Sequence, residues 1–243
     1  MSGAAARRER SRAEMRAAIL AEARRIVTEQ GLDQLSMRAI ARALGYSPGA
    51  LYEYFRDKEA ILHALYFDGV DGLDGHITHV VTTLPPGIDP RERIRVLGGA
   101  YRTFALDHAE LYRLVFGGIP RPPRPPSADS ADDLRGGFGV LVQAVRQGID
   151  AGVLVNLPPE ALGVSCWASV HGFVSLELSG HLTGGTAPRT LPASPEEGRR
   201  RRDDLFEQLF QTLFHGLVRD EHRMMPAPDP SPPGPAQAST LDD

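Results

Sequence analysis

Between Ser36 and Lys58 the chain gathers side chains suited to gripping an anion. Arg38 and Lys58 carry fixed positive charge, and Tyr52 and Tyr54 carry phenolic hydroxyls. Ser36 and Ser47 stand where helices are expected to begin. A helix N-terminus presents unpaired N–H groups and partial positive charge, so Ser36, Ser47 and Lys58 are all placed to hold a phosphate oxygen. Bond-making chemistry has no comparable support. No Asp, Glu and His group recurs at a catalytic spacing and the sequence has no glycine-rich phosphate loop, so no catalytic residue is assigned. His76 and His79 lie three residues apart on one expected helix, but no cysteine pair or carboxylate pattern joins them, and neither a metal nor another cofactor is expected. Cys166, the single cysteine, sits beside Trp167 on an apolar stretch and reads as buried filler.

The elements that must position these residues follow from hydrophobic spacing. From Ser11 onward Met15, Ala18, Ile19, Ala23, Ile26 and Val27 recur at helical intervals until Gly31. Ser36 caps a short second helix with Met37, Ile40, Ala41 and Leu44 on one face, ended by Gly45. Ser47 caps a third, with Pro48 at its first position and Leu51 and Phe55 pointing inward. Asp57 caps a longer fourth helix running towards residue 83. Two short helices joined by a tight turn form a helix-turn-helix, whose second helix enters the DNA major groove. With Leu51 and Phe55 inward, the outer side is left to Pro48, Gly49, Ala50, Tyr52, Glu53 and Tyr54. Such small and aromatic groups favour van der Waals contacts, for instance to thymine methyls, with shape and backbone contacts sharing the work.

The stretch SMRAIARALGYSPGALYEYFRDK, residues 36–58, resembles the TetR family of regulators. The matching features are Leu44-Gly45, Ser47, Leu51-Tyr52, Tyr54-Phe55 and Asp57-Lys58 at their spacing. The resemblance implies an all-α protein of about nine helices, with a three-helix DNA-binding unit followed by a helical ligand-binding and dimerisation domain. It implies DNA contacts from Pro48, Gly49, Ala50, Tyr52, Tyr54 and Lys58, beside the Ser36, Arg38 and Ser47 read from the residues. Glu53 departs from the family's usual basic or polar choice, and an acid there would repel phosphate. The expected layout is a disordered arm at 1–10, the helix-turn-helix domain at 11–58, an effector and dimerisation domain at 59–221, and a disordered tail at 222–243. The implied partners are double-stranded operator DNA, a small-molecule effector and a second copy of the chain, in a repressor released by an apolar or aromatic ligand. Trp167-Ala-Ser-Val-His171-Gly172 also resembles a C-terminal domain type of that family named for its Trp, His and Gly.

Further helices are expected at Arg91–Asp107, around Leu111–Phe116, and at Asp132–Ala151, Pro159–His181 and Arg199–Asp220. Gly98 and Gly99 inside the first of these point to close packing or a bend. The Pro-rich run 120–133 reads as a linker. In the last helix Phe206, Leu209, Phe210, Leu213, Phe214 and Leu217 form a face broad enough to serve the domain's own core and a partner subunit, and these six are the expected dimer contacts. Tyr66, Tyr101, Phe104, Tyr112, Phe116, Trp167 and His171 are the expected effector-binding residues, with Phe138 and Phe173 as further wall candidates.

Composition sets the outer limits. The net charge of −4 argues against a uniformly basic DNA-coating protein, yet residues 1–66 hold eleven basic and eight acidic side chains, leaving −7 for residues 67–243. The basic excess lies with the helix-turn-helix. An apolar content of 42% is enough for a real core. One cysteine, an Arg-rich N-terminus and the polar breaks at Ser165, Ser169, His171, Ser175 and Glu177 lead to the expectation of a cytoplasmic protein without a membrane span. The alternative reading is a helical ligand-binding protein or enzyme whose helix-turn-helix is not its main activity.

Overall fold

The computed structural model describes residues 3–118, 122–123, 136–182 and 194–217, which hold nine α-helices and no strand. These are α1 (Gly3–Gln30), α2 (Met37–Leu44), α3 (Pro48–Leu51), α4 (Lys58–Thr82), α5 (Pro90–Asp107), α6 (Ala109–Arg113), α7 (Gly137–Asp150), α8 (Pro159–Leu178) and α9 (Pro195–Leu217). A 3-10 turn at Leu32–Gln34 follows α1, and a π-helical turn at Leu114–Gly118 follows α6.

Several expected boundaries move, among them the start of α9, at Pro195 rather than Arg199, and the end of α8, at Leu178 rather than His181. Helix α1 starts at Gly3 rather than Ser11, so the expected arm is helical in its described part. Alanine and arginine are strong helix formers and need no buried partner to extend a helix already nucleated by the Ile19 and Ile26 face. Helix α7 starts at Gly137, after Gly136 at φ +99°, a conformation other residues resist. The Pro-rich linker, apart from residues 122–123, and the expected tail lie outside the described residues.

The helix caps follow the sequence closely. The Ser36 hydroxyl accepts from Ala39 N–H at 3.1 Å, Ser47 from Ala50 N–H at 3.3 Å, and Asp57 from Ala60 N–H at 2.8 Å. Gly45 closes α2 in the left-handed region at φ +75°.

Two cores result. The first packs Ile19, Ile26, Leu35, Ile40, Leu51, Phe55, Ile61 and Leu65, and it also takes Tyr66, Leu114 and Val115. The second packs Leu73, Ile77, Ile94, Leu97, Tyr101, Phe104, Val145, Leu162, Val170, Phe206 and Phe210. The boundary expected after residue 58 therefore falls inside α4, which serves the first core with its beginning and the second with its end. Phe116 of the π turn packs against both.

Phe206 and Phe210, expected at a subunit interface, belong to the protein's own core. Phe210 is 1% exposed and sits against Gly98. Leu209, Leu213, Phe214 and Leu217 are partly buried against the same core. Periodicity gives the apolar face of a helix but not which stripe of a wide face turns inward. The α5–α8–α9 packing is pinned by Glu177, which accepts from Arg102 Nε and Nη2 at 2.7 Å each and from Arg202 Nε at 3.2 Å, while Arg102 also pairs with Asp203 at 2.8 Å. Such an ion pair, nearly dry at Glu177, fixes register more than it adds stability.

By length and composition α8 is the one helix among the described residues apolar enough to cross a membrane. Its serine hydroxyls are absorbed by the helix itself: Ser165 donates to the Ala161 carbonyl at 3.0 Å and Ser169 to that of Ser165 at 2.8 Å.

Candidate nucleic-acid interface and cavity

Leu51 and Phe55 anchor α3 in the first core, with 1% and 3% of their surface exposed, and this decides which side chains face out. Ser36, Arg38, Ser47, Pro48, Gly49, Tyr52 and Glu53 are exposed, and Ala50 is half-buried. Tyr52 stands out at 55% exposure, an aromatic ring with a polar tip at the end of α3. Helix α3 itself is one turn long. The chain continues through Tyr54 and Phe55, whose N–H groups both donate to the Leu51 carbonyl at 3.0 Å.

Tyr54 is placed differently from Tyr52. It is half-buried against the first core, and the Arg12 guanidinium lies 6.0 Å from its ring centre. Arg12 also donates to the Glu53 carbonyl at 3.1 Å, Arg16 donates to the Tyr54 carbonyl, and the Arg16 guanidinium stacks 4.1 Å over the Phe55 ring. Arg12 and Arg16 thus brace the end of the recognition element from α1. Spacing within the helix-turn-helix could not show this; the signal was two arginines one turn apart on the preceding helix. Lys58 opens α4 and donates to the Leu32 carbonyl at 3.4 Å, which uses one of its three ammonium hydrogens. Arg42 on α2 and Tyr46 in the turn, the latter 48% exposed, add polar reach that the motif reading did not assign.

The second domain contains a cavity of about 420 Å³ between α4, α5, α7 and α8. Tyr66, Tyr101, Phe116 and Trp167 line it, together with Phe138, Cys166 and Asp74. Phe104 does not reach it. That ring instead packs on His108, centroid to centroid 4.7 Å, and on His76 at 6.0 Å. Tyr112 and His171 line a second hollow of about 440 Å³, walled by Val27 and Leu32 from the first unit and by Arg113, Ser175 and Leu178 from the second. Phe116 borders both spaces. Phe173 stacks on Phe206 at 5.1 Å, away from either cavity lining.

His171 is held by two tyrosines. The Tyr112 hydroxyl lies 2.7 Å and the Tyr101 hydroxyl 3.0 Å from its Nδ1, and Tyr101 donates to the Tyr112 oxygen at 3.3 Å. A chain running Tyr101 to Tyr112 to Nδ1 fits a neutral imidazole with its proton on Nε2. Burial pushes the imidazole below its usual value and pushes both phenols up. The Cys166 thiol, 2% exposed, is pushed up to about 11 by burial and is no poised nucleophile. Asp74 was missed at the sequence level because one acid on an amphipathic helix looks like solvent-facing charge. Its Oδ1 accepts from Gly137 N–H at 2.6 Å, and a Cβ at Gly136 would overlap its Oδ2.

This geometry has known counterparts. Residues 19–65 match the model of bacterial regulatory proteins of the tetR family, and residues 94–213 match the tetracyclin repressor-like C-terminal domain. The chain belongs to the TetR family of transcriptional regulators. A helix-turn-helix-type transcriptional repressor of Mycobacterium tuberculosis is 45% identical over 47 residues, 19% of this chain and 25% of that protein. The chain thus spans about a quarter of the length of the curated relatives it matches. Among solved structures, a Rhodococcus sp. RHA1 protein of unknown function is 28% identical, with 84% of this chain and 95% of that one superposed at a TM-score of 0.65. A TetR family transcription regulator of Marinobacter aquaeolei VT8, 24% identical, shares the fold over 88% of this chain and 99% of that one at a TM-score of 0.57.

The regulator's N-terminal match ends at residue 65, close to where the first core hands α4 over to the second. The C-terminal description does not extend to the narrower Trp-His-Gly type; in this chain Trp167 and His171 are neighbours at 6.2 Å on α8, the first lining the cavity and the second held by the tyrosine pair.

Proposed function

We propose that this TetR family regulator is a dimeric repressor whose α2 and α3 hold operator DNA and which releases it when a small, largely apolar or aromatic molecule fills the cavity. The observation that carries this reading is the position of α4. Its first turn, at Lys58, borders the recognition element, and further along it Leu73, Asp74 and Ile77 line the cavity. A 25-residue helix is about 37 Å long, so a small tilt imposed at one end becomes a displacement of ångströms at the other. Operator contacts are assigned to Ser36, Arg38, Ser47, Pro48, Gly49, Ala50, Tyr52 and Lys58, with Tyr54 braced behind them and Arg42 and Tyr46 beside them. The Mycobacterium tuberculosis relative is itself named a repressor, which supports the sign of regulation.

The dimer contact falls to the outer sides of α8 and α9. Val164 at 49% and Leu176 at 47% exposure continue a row on α8 with Ala161, Ser165 and Ala168, small enough for close helix approach, and α9 adds the partly buried Leu209 and Leu213. An anisotropy titration of the protein against its own upstream intergenic DNA, with scrambled DNA as competitor, tests the reading. Binding that depends on a palindrome, and that Tyr52→Ala weakens at that site, is expected. Equal affinity for scrambled DNA would overturn it.

A further inference from the structure

The first turns of α1 build no core. No described residue before Ile19 is buried, and Arg7, Arg8 and Arg10 stand exposed on a helix that starts at Gly3 and runs about 14 Å ahead of Arg12. The place of this overhang is given by Arg12 and Arg16, which reach the Glu53 and Tyr54 carbonyls at the end of the recognition element. Arg8 precedes Arg12 by four residues, so it lies on the same helix face one turn further out, about 6 Å along the axis. The overhang therefore leaves the body of the protein beside Glu53 and the exposed Tyr52. Elsewhere arginines answer acids: Arg24 pairs with Asp68, Arg91 with Asp89 and Arg146 with Glu160. Among the described residues the side chains of Arg7, Arg8 and Arg10 form no ion pair or hydrogen bond. From this placement we propose that the α1 overhang is a second DNA-binding element, which grips the phosphates flanking the operator through Arg7, Arg8 and Arg10. The proposal rests on the operator reading above and extends the DNA-binding surface beyond α2 and α3.

Helix geometry decides what such an element can read. Arg8, Arg12 and Arg16 set like charges at four-residue intervals, which repel one another in the free protein and which nearby phosphates relieve. A helix with its side chains is about 10–12 Å across and the minor groove about 6 Å wide, so the overhang lies along the sugar-phosphate rim instead of threading the groove as an extended arm does. Its contacts add affinity and salt dependence and carry no sequence preference. The same arginines answer the acid of the recognition element. Arg12 sits on the Glu53 backbone carbonyl, and residues 3–16 hold five arginines against Glu9 and Glu14, which keeps this edge of the DNA-binding unit positive despite the Glu53 carboxylate.

Two labelled duplexes test the contact by anisotropy across a salt series: one ends at the palindrome, and the other carries about 10 further base pairs on each side, about one helical turn. The wild-type protein is expected to bind the longer duplex about tenfold more tightly. Arg7→Ala, Arg8→Ala and Arg10→Ala together preserve the helix, alanine being its best former, and are expected to erase that gain and lower the slope of log affinity against log salt by about two to three on the longer duplex. Lysine at the same three positions keeps the charge and is expected to restore most of both. Equal wild-type affinity for the two duplexes, an unchanged salt slope in the alanine variant, or an alanine defect as large on the short duplex as on the long one would overturn the proposal. A wild type that does not distinguish operator from scrambled DNA would refute the operator reading alone. The salt slope on scrambled DNA of the longer length, which the alanine variant is expected to lower by the same about two to three, then decides the α1 contact by itself.

Discussion

The ring of Phe210 rests on the backbone of Gly98: a Cβ there would overlap the ring's Cζ and lie 3.2 Å from Val170 Cγ2. The next residue, Gly99, faces nothing within 4 Å. Adjacent glycines in one helix therefore do opposite things. Gly98→Ala is expected to lose about 1–3 kcal/mol through overpacking, and Gly99→Ala to gain about 0.5–1 kcal/mol from helix propensity. Urea unfolding of the two variants measures both, and a stabilising Gly98→Ala would contradict the packing described.

Core and partner surfaces on α8 and α9 should separate under mutation. Phe210→Ala is expected to cost about 3–5 kcal/mol of stability, since the ring is fully buried. Val164→Asp is expected to leave helix content and stability near the wild type while shifting sedimentation towards a monomer. A Val164→Asp protein that sediments as the wild type does would move the interface elsewhere.

Arg38, exposed near the start of α2, is assigned to the phosphate backbone. Arg38→Ala should weaken operator and scrambled DNA by a similar factor, about tenfold at physiological salt, and lower the slope of log affinity against log salt by about one. Loss confined to the operator would instead make it a base-reading residue.

His171 should make stability depend on pH. Burial holds its folded-state pKa below the ordinary 6.5, so the unfolded chain takes the proton first. Native stability from this group is complete above about 6.5 and is lost as pH falls from there through the depressed folded value. His171→Gln retains an acceptor for Tyr112 and should flatten the fall between about pH 7 and pH 5. Chemical denaturation across that range decides it; parallel curves for the two proteins would assign the pH dependence to other groups.

The candidate recognition face was legible because it rests on local signals. Ser36, Ser47 and Asp57 cap helices through hydrogen bonds three residues away, Gly45 ends α2 by its own backbone freedom, and Leu51 with Phe55 forms an anchor within one turn. Short-range rules of that kind depend on little beyond the neighbouring residues, so the sequence by itself determined the helices, their order and which side of α3 faces outward. Where distant segments meet, only the tertiary structure could decide. It turned Phe206 and Phe210 inward, sent Phe104 to His108 instead of the cavity, and brought Tyr112 with His171 to the second hollow. It also put Asp74 over Gly136 and Gly137, more than sixty residues along the chain, and let Arg12 and Arg16 reach back to Glu53 and Tyr54. The physical reason is that an apolar residue is satisfied by any of several buried surroundings, and a charge by any of several partners. Which one it receives is fixed by how whole helices pack against one another, a property of no single segment.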